Sequence, residues 1–452
     1  MGARDRREFL QAGTASAAAL LWVRRGVAAE VPEAERYWPQ WRGPLGTGEG
    51  PQARPPALWA EGKNVAWKVA LPGDGKSTPV VWRDLGLLTA AVPSSKKLAA
   101  RAPVEPAGAA GAGNAAVSPA GSAQGFVVLA LGRTDGKVRW SRTVREEFPH
   151  EGTHKDGSFA AGSLLTDGAR VYAFFGSRGL YALDLEGHVV WEKEFGVMRT
   201  KNSFGEGASP ALYGDTLVVN WDHEGADFVV ALDAKTGQER WRTARDEPTT
   251  WATPHVVVHQ GKAQVVVAGM NSVRSYDLAT GALLWEAPGL TANVIPSPVS
   301  ADGVVYAMSG FRGNMLRAVR LADARGAVTG PPGLLWSYDK DTPYVPSPLL
   351  YRGGLYFLKS NSGVLTCLDP ATGAPRYTER LDAVANVYAS PVAADGRIYV
   401  VGREGTAVVL SAGPKLEVLA TNVLDDGFDA SPALVDGEMY LRGRKSLYRI
   451  SA

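Results

Sequence analysis

Asp233-Ala234-Lys235-Thr236-Gly237-Gln238-Glu239-Arg240-Trp241 is one copy of a phrase, apolar-Asp-x-x-x-Gly-x-x-x-Trp, that decides the fold. It returns as Asp277 to Trp285 and, one residue shorter, as Asp184 to Trp191. Asp135-Gly136 to Trp140 is an abbreviated copy, and Asp369 to Tyr377 substitutes Tyr for Trp. A second phrase precedes these: Ser-Pro or Thr-Pro, an apolar run, a Gly or Asp-Gly turn, then Val-Tyr or similar. It appears at Thr78-Pro79, Ser209-Pro210, Thr253-Pro254, Ser297-Pro298, Ser347-Pro348, Ser390-Pro391 and Ser431-Pro432. A degenerate copy has Gly162-Ser163 in the same frame, followed by Asp167-Gly168 and Val171-Tyr172.

Residues 77–450, less an Ala/Gly/Pro/Ser-rich stretch at 93–124, divide into eight units of about 43 residues, within the ~40–45 of a four-stranded propeller blade. Short apolar runs bounded by Gly, Asp and Pro read as strands. The pattern predicts an all-β chain, an eight-bladed β-propeller of four-stranded antiparallel blades over 64–452; a stacked solenoid is the other arrangement such repeats permit. The last unit stops after Leu447-Tyr448-Arg449-Ile450 without its Trp strand, while Asn64-Val65-Ala66-Trp67-Lys68-Val69 is a Trp strand without a unit. Joining them completes the eighth blade from both chain ends and leaves no open edge. The tryptophans are expected to dock between blades. The 93–124 insert falls between the second and third strands of the first blade and is expected to be a flexible loop.

Of the 452 residues, 45% are hydrophobic and 21% charged, an ordinary globular balance. Lys plus Arg is 48 against 46 Asp plus Glu, which gives no case for a nucleic-acid partner. A single cysteine, Cys367, excludes an intramolecular disulfide framework and a cysteine-based zinc cluster.

Asp5-Arg6-Arg7-Glu8-Phe9-Leu10-Gln11 matches the twin-arginine export pattern. The apolar stretch at 12–23 is too short to span a bilayer as a helix, for which ~20 residues are needed. Val27-Ala28-Ala29 offers a small-residue cleavage site. The expectation is a signal peptide at 1–29, a segment at 30–63 leading into the propeller, and a periplasmic or otherwise exported protein with no membrane span after processing. No cysteine near the cleavage site offers a lipid anchor.

The Asp-x-x-x-Gly-x-x-x-Trp phrase resembles the tryptophan-docking repeat of pyrroloquinoline-quinone (PQQ) proteins, and residues 64–450 resemble the PQQ-binding-like β-propeller repeat family. Trp38-Pro39-Gln40-Trp41-Arg42-Gly43-Pro44 is similar to the opening of exported members. The resemblance implies one of two classes. One is the PQQ-dependent alcohol and sugar dehydrogenases; the other is the non-catalytic propeller of the outer-membrane barrel assembly machinery, BamB. Against the first, such enzymes typically run longer, many stack the quinone on a vicinal disulfide, and neither a haem-attachment Cys-x-x-Cys-His nor a mapped Glu/Asn/Asp calcium set is found here. Against the second, the lipid-anchor cysteine is missing.

In a four-stranded blade the first-to-second and third-to-fourth turns share one face and are repetitive here. The other face carries the second-to-third turns and the blade-to-blade connections, where the copies differ; loops on a rigid scaffold are the usual place for function. Lys76, Phe159, Glu206, Trp251, Asn293, Tyr344, Asn386 with Tyr388, and Asp429 precede the Ser-Pro strands and are expected to ring the channel mouth. Such a ring either holds a planar polar ligand or lines a water-filled channel. Arg178, Arg312 and Arg403 lie in the second-to-third turns, where an arginine either clamps a carboxylate of PQQ or pairs with Glu206, Glu224 or Glu404. Candidate cofactor contacts are therefore Lys76, Arg178, Trp251, Asn293, Arg312, Tyr344, Asn386 and Arg403. His150-Glu151-Gly152-Thr153-His154-Lys155-Asp156 is the densest titratable cluster. It reads first as a polar loop, with His150, His154 and Asp156 the residues able to supply a metal site and His154 an acid/base group.

The expected function is an exported binding or interaction module with an envelope protein partner or a small planar or sugar ligand. The alternative is a quinoprotein oxidoreductase with PQQ and Ca²⁺, acting on an alcohol or sugar, with Glu206 or Asp429 as the base. A third reading is a sugar-binding propeller that stacks its ligand on Trp221, Trp251 and Tyr344.

Overall fold

In the Asp-x-x-x-Gly phrase the aspartate folds back on its own turn. Asp233 Oδ1 accepts the backbone N–H of Lys235 at 3.0 Å and of Thr236 at 2.9 Å, and the Thr236 hydroxyl at 3.0 Å. Asp277 and Asp369 repeat this with Thr280 and Thr372. Gly237, Gly281 and Gly373 follow at φ of 70°, 74° and 73°, a left-handed conformation free of Cβ clash only in glycine. The chain reverses, and the next strand carries the Trp.

The computed structural model describes residues 31–96, 98 and 116–452, so the expected signal peptide and most of the insert lie outside the described residues. Eight sheets, each built on four antiparallel strands, form a ring, the expected β-propeller. Blade 1 comprises Val80–Trp82, Leu85–Pro93, Gln124–Gly132 and Val138–Glu147. Blades 2 to 7 begin at Leu165–Thr166, Ala211–Tyr213, His255–His259, Val299–Ala301, Leu349–Tyr351 and Val392–Ala394. Blade 8 takes Ala433–Val435, Glu438–Arg442 and Ser446–Ser451 from one chain end and Val65–Ala70 from the other, with Trp67 opposite Arg449 and Val69 opposite Leu447. The described residues contain no α-helix.

Middle strands are covered on both faces by neighbouring blades. Gln124–Gly132 is buried at every position, whereas the outermost Val65–Ala70 alternates. This is why inner strands read as continuous apolar runs. The core lies between blades: Leu87, Phe126 and Val128 of blade 1 pack with Val171, Tyr181 and Leu183 of blade 2. Each Trp docks on the turn of the next blade. Trp140 Nε1 donates to Leu185 O at 2.7 Å, Trp191 to Ala234 O at 3.1 Å, Trp241 to Leu278 O at 2.9 Å, and Trp67 to Arg133 O at 3.0 Å. Trp285 departs from the pattern. The blade 5 loop that follows adds Gly326–Ala327 as a fifth, parallel strand beside it, and its indole donates to Gln264 instead.

The Ser-Pro phrase has its own structural cause. The backbone N–H at each copy donates to the Ser or Thr hydroxyl of the next blade: Thr78 to Ser163, Ser163 to Ser209, Ser209 to Thr253, Thr253 to Ser297, Ser297 to Ser347, Ser347 to Ser390 and Ser390 to Ser431, at 2.8–3.2 Å. A belt of hydroxyls thus encircles the axis, and Ser163 takes its place there without a following proline. At the junction of blades 8 and 1 the buried Arg442 guanidinium donates to the Ser77 hydroxyl and to Thr89 O instead.

Two features differ from the expectations. Part of the insert is ordered: Val117–Ser118 pairs with Thr153–His154 of the blade 1–2 connection. The segment ahead of the ring does more than lead into it. Trp38 pairs with Val81, Gly50 N–H donates to Ala393 O at 2.9 Å, and the Tyr399 hydroxyl donates to Pro55 O at 3.0 Å. Between these contacts Trp41 and Arg42 reach the axis. Trp41 Nε1 donates to the Ser297 hydroxyl at 3.1 Å, and Arg42 donates to Pro348 O at 2.6 Å and Pro391 O at 2.7 Å.

Candidate functional site

The hydroxyl belt and Trp41 form the floor of a funnel of about 220 Å³. Its walls carry Lys76, Glu206, Trp251, Tyr344, Tyr388 and Asp429, and its rim carries His154, Asp156 and Phe204. The expected ring thus assembles on the variable face for these residues. Phe159, Asn293 and Asn386 are not part of the lining. Asn293 is buried, with φ of 54° and no partner for Oδ1. Asn386 is half-buried and accepts Arg403 N–H through its main-chain oxygen at 2.9 Å. Arg312 is exposed and stands 5.3 Å from the Phe311 ring, outside the funnel. Trp221, one of the three expected stacking platforms, is 2% exposed and stacks inside blade 3 on Phe228.

Charged groups at the funnel are matched among themselves. Asp429, with its side chain 3% exposed, accepts Lys76 Nζ at 3.0 Å, Arg403 Nε at 2.6 Å and Arg444 Nε at 2.9 Å. Burial pushes its carboxyl up, but the hydrogen bonds and charges of Arg444, Lys76 and Arg403 outweigh that and hold it well below the usual carboxylate range. Arg403 also reaches Asp156 at 2.8 Å and lies 4.0 Å over the Tyr388 ring.

Glu206 is equally engaged. It accepts Ser177 N–H and the Ser177 hydroxyl, both at 2.6 Å, and Arg178 Nη1 at 3.0 Å. Gly176, at φ of 60°, makes room for it: a Cβ there would lie 1.5 Å from Glu206 Oε2. Arg178 is buried behind the wall with Glu206 and Glu147, not in the funnel. Neither Glu206 nor Asp429 has the free, weakly solvated carboxylate that a general base requires.

His150, Glu151 and Glu206 place one ligand atom each within 4.8 Å of one another. Of the residues expected to supply a metal site only His150 belongs to this group. Its Nε2 contacts Met198 O at 2.8 Å, and Arg178 stands 3.4 Å from Nδ1. The Arg178 guanidinium therefore already contacts two of these three residues, Glu206 and His150. Glu151, held by Thr200, is pushed up to about 7 by burial and by the Glu206 charge. His154 Nδ1 accepts Asp156 N–H at 3.2 Å, and burial lowers the His154 pKa.

Repeat symmetry located the mouth but missed Trp41 and the hydroxyl belt. The belt had a signal, the Ser/Thr in every copy of its phrase. Trp41 had only the likeness of Trp38 to Pro44 to the opening of exported members, which gives no position, because its partner Ser297 is 256 residues away.

The fold compares with solved structures at low identity. The crystal structure of BamB from Moraxella catarrhalis matches with a TM-score of 0.51 and 14% identity over 80% of this chain and 97% of that one. Quinohemoprotein alcohol dehydrogenase from Comamonas testosteroni matches with a TM-score of 0.59 and 13% identity over 92% and 80%. Quinohemoprotein alcohol dehydrogenase ADHIIG from Pseudomonas putida HK5 matches with a TM-score of 0.57 and 13% identity over 92% and 80%. No curated protein sequence matches the chain. The chain belongs to the PQQ_2 repeat family, whose model, described as outer membrane protein assembly factor BamB, matches residues 54–250, 180–333 and 225–452.

Proposed function

We propose that this protein is a non-catalytic binding module, exported through the twin-arginine path to the periplasm, whose funnel receives a small uncharged ring-shaped ligand such as a sugar unit. The observation that carries the reading is the charge matching of the funnel. Lys76, Arg403 and Arg444 converge on Asp429, with Asp74 also on Lys76 and Asp156 also on Arg403, and Arg178 meets Glu206. PQQ carries three carboxylates, and no cation of this set is left to meet them. The residues present do not fit that cofactor, nor do the engaged carboxylates fit a base beside it. What remains is a hydroxyl belt, an indole floor and the aromatic walls Trp251, Tyr344 and Tyr388. Stacking faces with nearby hydroxyls suit a neutral polar ring. Among the described residues no helix is long and apolar enough to cross a membrane.

Calorimetric titration with a panel of neutral mono- and disaccharides tests the reading. Trp251→Leu is expected to weaken binding by about tenfold or more. A panel with no binder, or a binder indifferent to Trp251→Leu and Tyr344→Leu, speaks against the funnel as the site.

A further inference from the structure

Residues 38–50 close the central channel from beneath the hydroxyl belt. Trp38 pairs with Val81 of blade 1, and the Thr166 N–H of blade 2 donates to Pro39 O at 2.9 Å. Trp41 Nε1 donates to Ser297 at the entry to blade 5, and Arg42 donates to Pro348 O and Pro391 O at the entries to blades 6 and 7. The Gly50 N–H then donates to Ala393 O of blade 7. The segment thus crosses the axis from blade 1 to blade 7 and puts Trp41 at the bottom of the funnel. The funnel is blind: a ligand enters and leaves by the mouth alone.

The floor differs in chemistry from the walls. The belt hydroxyls from Ser163 to Ser431 all line the funnel. Each accepts a main-chain N–H. None of those bonds uses the hydroxyl's own hydrogen, so the floor meets a ligand with donors. Above it stand aromatic rings, each fixed from behind. Trp251 Nε1 donates to Gly205 O at 2.7 Å, Tyr344 stacks on Phe311 at 4.7 Å, and the Tyr388 hydroxyl donates to Asp156 at 3.2 Å while Arg403 lies 4.0 Å over its ring. Walls held in place before binding lose little freedom when a ligand arrives.

A volume of about 220 Å³ is below the ~300–1,000 Å³ of pockets that enclose a drug-sized molecule. It has room for one ring and not for a run of them. An internal unit of a chain carries a neighbour on both sides, and to reach the floor it would have to bring both into the same blind space. A terminal unit has one neighbour, which stays at the rim, and its free hydroxyls meet the donors of the floor.

We infer that the funnel takes the terminal unit of a neutral hexose chain end-on, with the next unit at the rim beside Phe204 and His154, whose rings are 5.0 Å apart. Such a chain is held by its end and never along its length. The inference rests on the reading of the funnel as a site for a neutral sugar ring.

Maltohexaose and α-cyclodextrin contain the same number of identically linked glucose units, one with ends and one without. They are the probes, titrated into the whole protein by calorimetry. Maltohexaose is expected to bind one-to-one and at least about tenfold more tightly than the cyclic sugar. Maltotriose is expected to match maltohexaose within about threefold, because units beyond the rim add no contacts. Ile295→Trp or Val345→Trp, both from the lining, narrows the funnel and is expected to abolish binding of the linear sugars; should either fail to fold, the cyclic and linear pair still decides. Cyclodextrin that binds as tightly as maltohexaose and is lost in the narrowed variants would overturn the inference and leave the funnel reading standing. So would glucose or maltose binding without maltohexaose, or affinity that keeps rising from maltotriose to maltohexaose. Maltohexaose binding that survives both narrowing substitutions, or no binding by any of these sugars, would overturn the inference together with the reading beneath it.

Discussion

Arg403 Nε lies 2.6 Å from Asp429 Oδ1, inside a wall where Lys76 and Arg444 reach the same carboxylate. Asp429, together with Asp156 on Arg403 at 2.8 Å and Asp74 on Lys76 at 3.5 Å, thus balances three cations that come from blades 7 and 8 and from the segment leading into blade 1. It joins the last blades to the first and silences the basic side of the funnel.

Asp429→Asn should therefore have two effects. Removing one partner of a buried charge group costs about 3–5 kcal/mol, read as a lower denaturant midpoint. Because the native carboxyl is held below its unfolded value of ~3.9, its contribution is fully present above that value and is lost as pH falls through the native one. The difference between wild type and variant should be constant from pH 6 to 8 and shrink in acid. The same substitution frees cations at the funnel, so the variant should acquire affinity for PQQ.

The hydroxyl belt predicts a contrast between two small substitutions. Ser347→Ala removes the acceptor of the Ser297 N–H and should cost about 1–3 kcal/mol for the buried donor left unpaired. The Thr78 hydroxyl has no partner, and its N–H bond to Ser163 survives in Thr78→Val, so that change should be nearly neutral. Urea unfolding of both variants checks this.

Tryptophan docking predicts a second contrast, between two glycines with the same backbone. Gly261 has φ of 76° with nothing within 4 Å of a Cβ, whereas Gly281 has φ of 74° with the Trp241 ring 2.5 Å away. Gly261→Ala should cost about 1 kcal/mol of backbone strain. Gly281→Ala should cost at least about 1–3 kcal/mol more, because the indole must shift, and Trp fluorescence should report the displacement.

Glu151 should make stability fall with pH. Its native value of about 7 lies above its unfolded value near 4.5, so its contribution is complete below pH 4.5 and is lost as pH rises through 7. Glu151→Gln should abolish most of that slope and be more stable than wild type at pH 8 by about 1–3 kcal/mol, as measured by denaturant melts at pH 4.5, 6, 7 and 8.

The ring was legible in the sequence because each repeated residue has a repeated partner. Asp233 closes its own turn, Trp241 meets the next blade, and Ser209 meets Thr253. The orphan strand around Trp67 was legible for the same reason. What periodicity could not show was pairing between unlike residues far apart in the chain. Lys76 and Asp429 are separated by 353 residues, and Arg42 and Pro391 by 349. Six of the nine expected channel-mouth residues were therefore predictable in position, but not in what they pair with. Trp221, which sits in a variable loop by its sequence, turned inward onto Phe228 instead.

The central claim is that the funnel of this family member is charge-matched and does not carry the quinone. Calorimetric titration of the purified protein with PQQ, with and without Ca²⁺, tests it most directly. The account predicts no saturable heat up to about 1 mM PQQ in wild type. Saturable one-to-one binding at about micromolar affinity or tighter would contradict it, and would return Glu206 and Asp429 to consideration as groups beside a working cofactor.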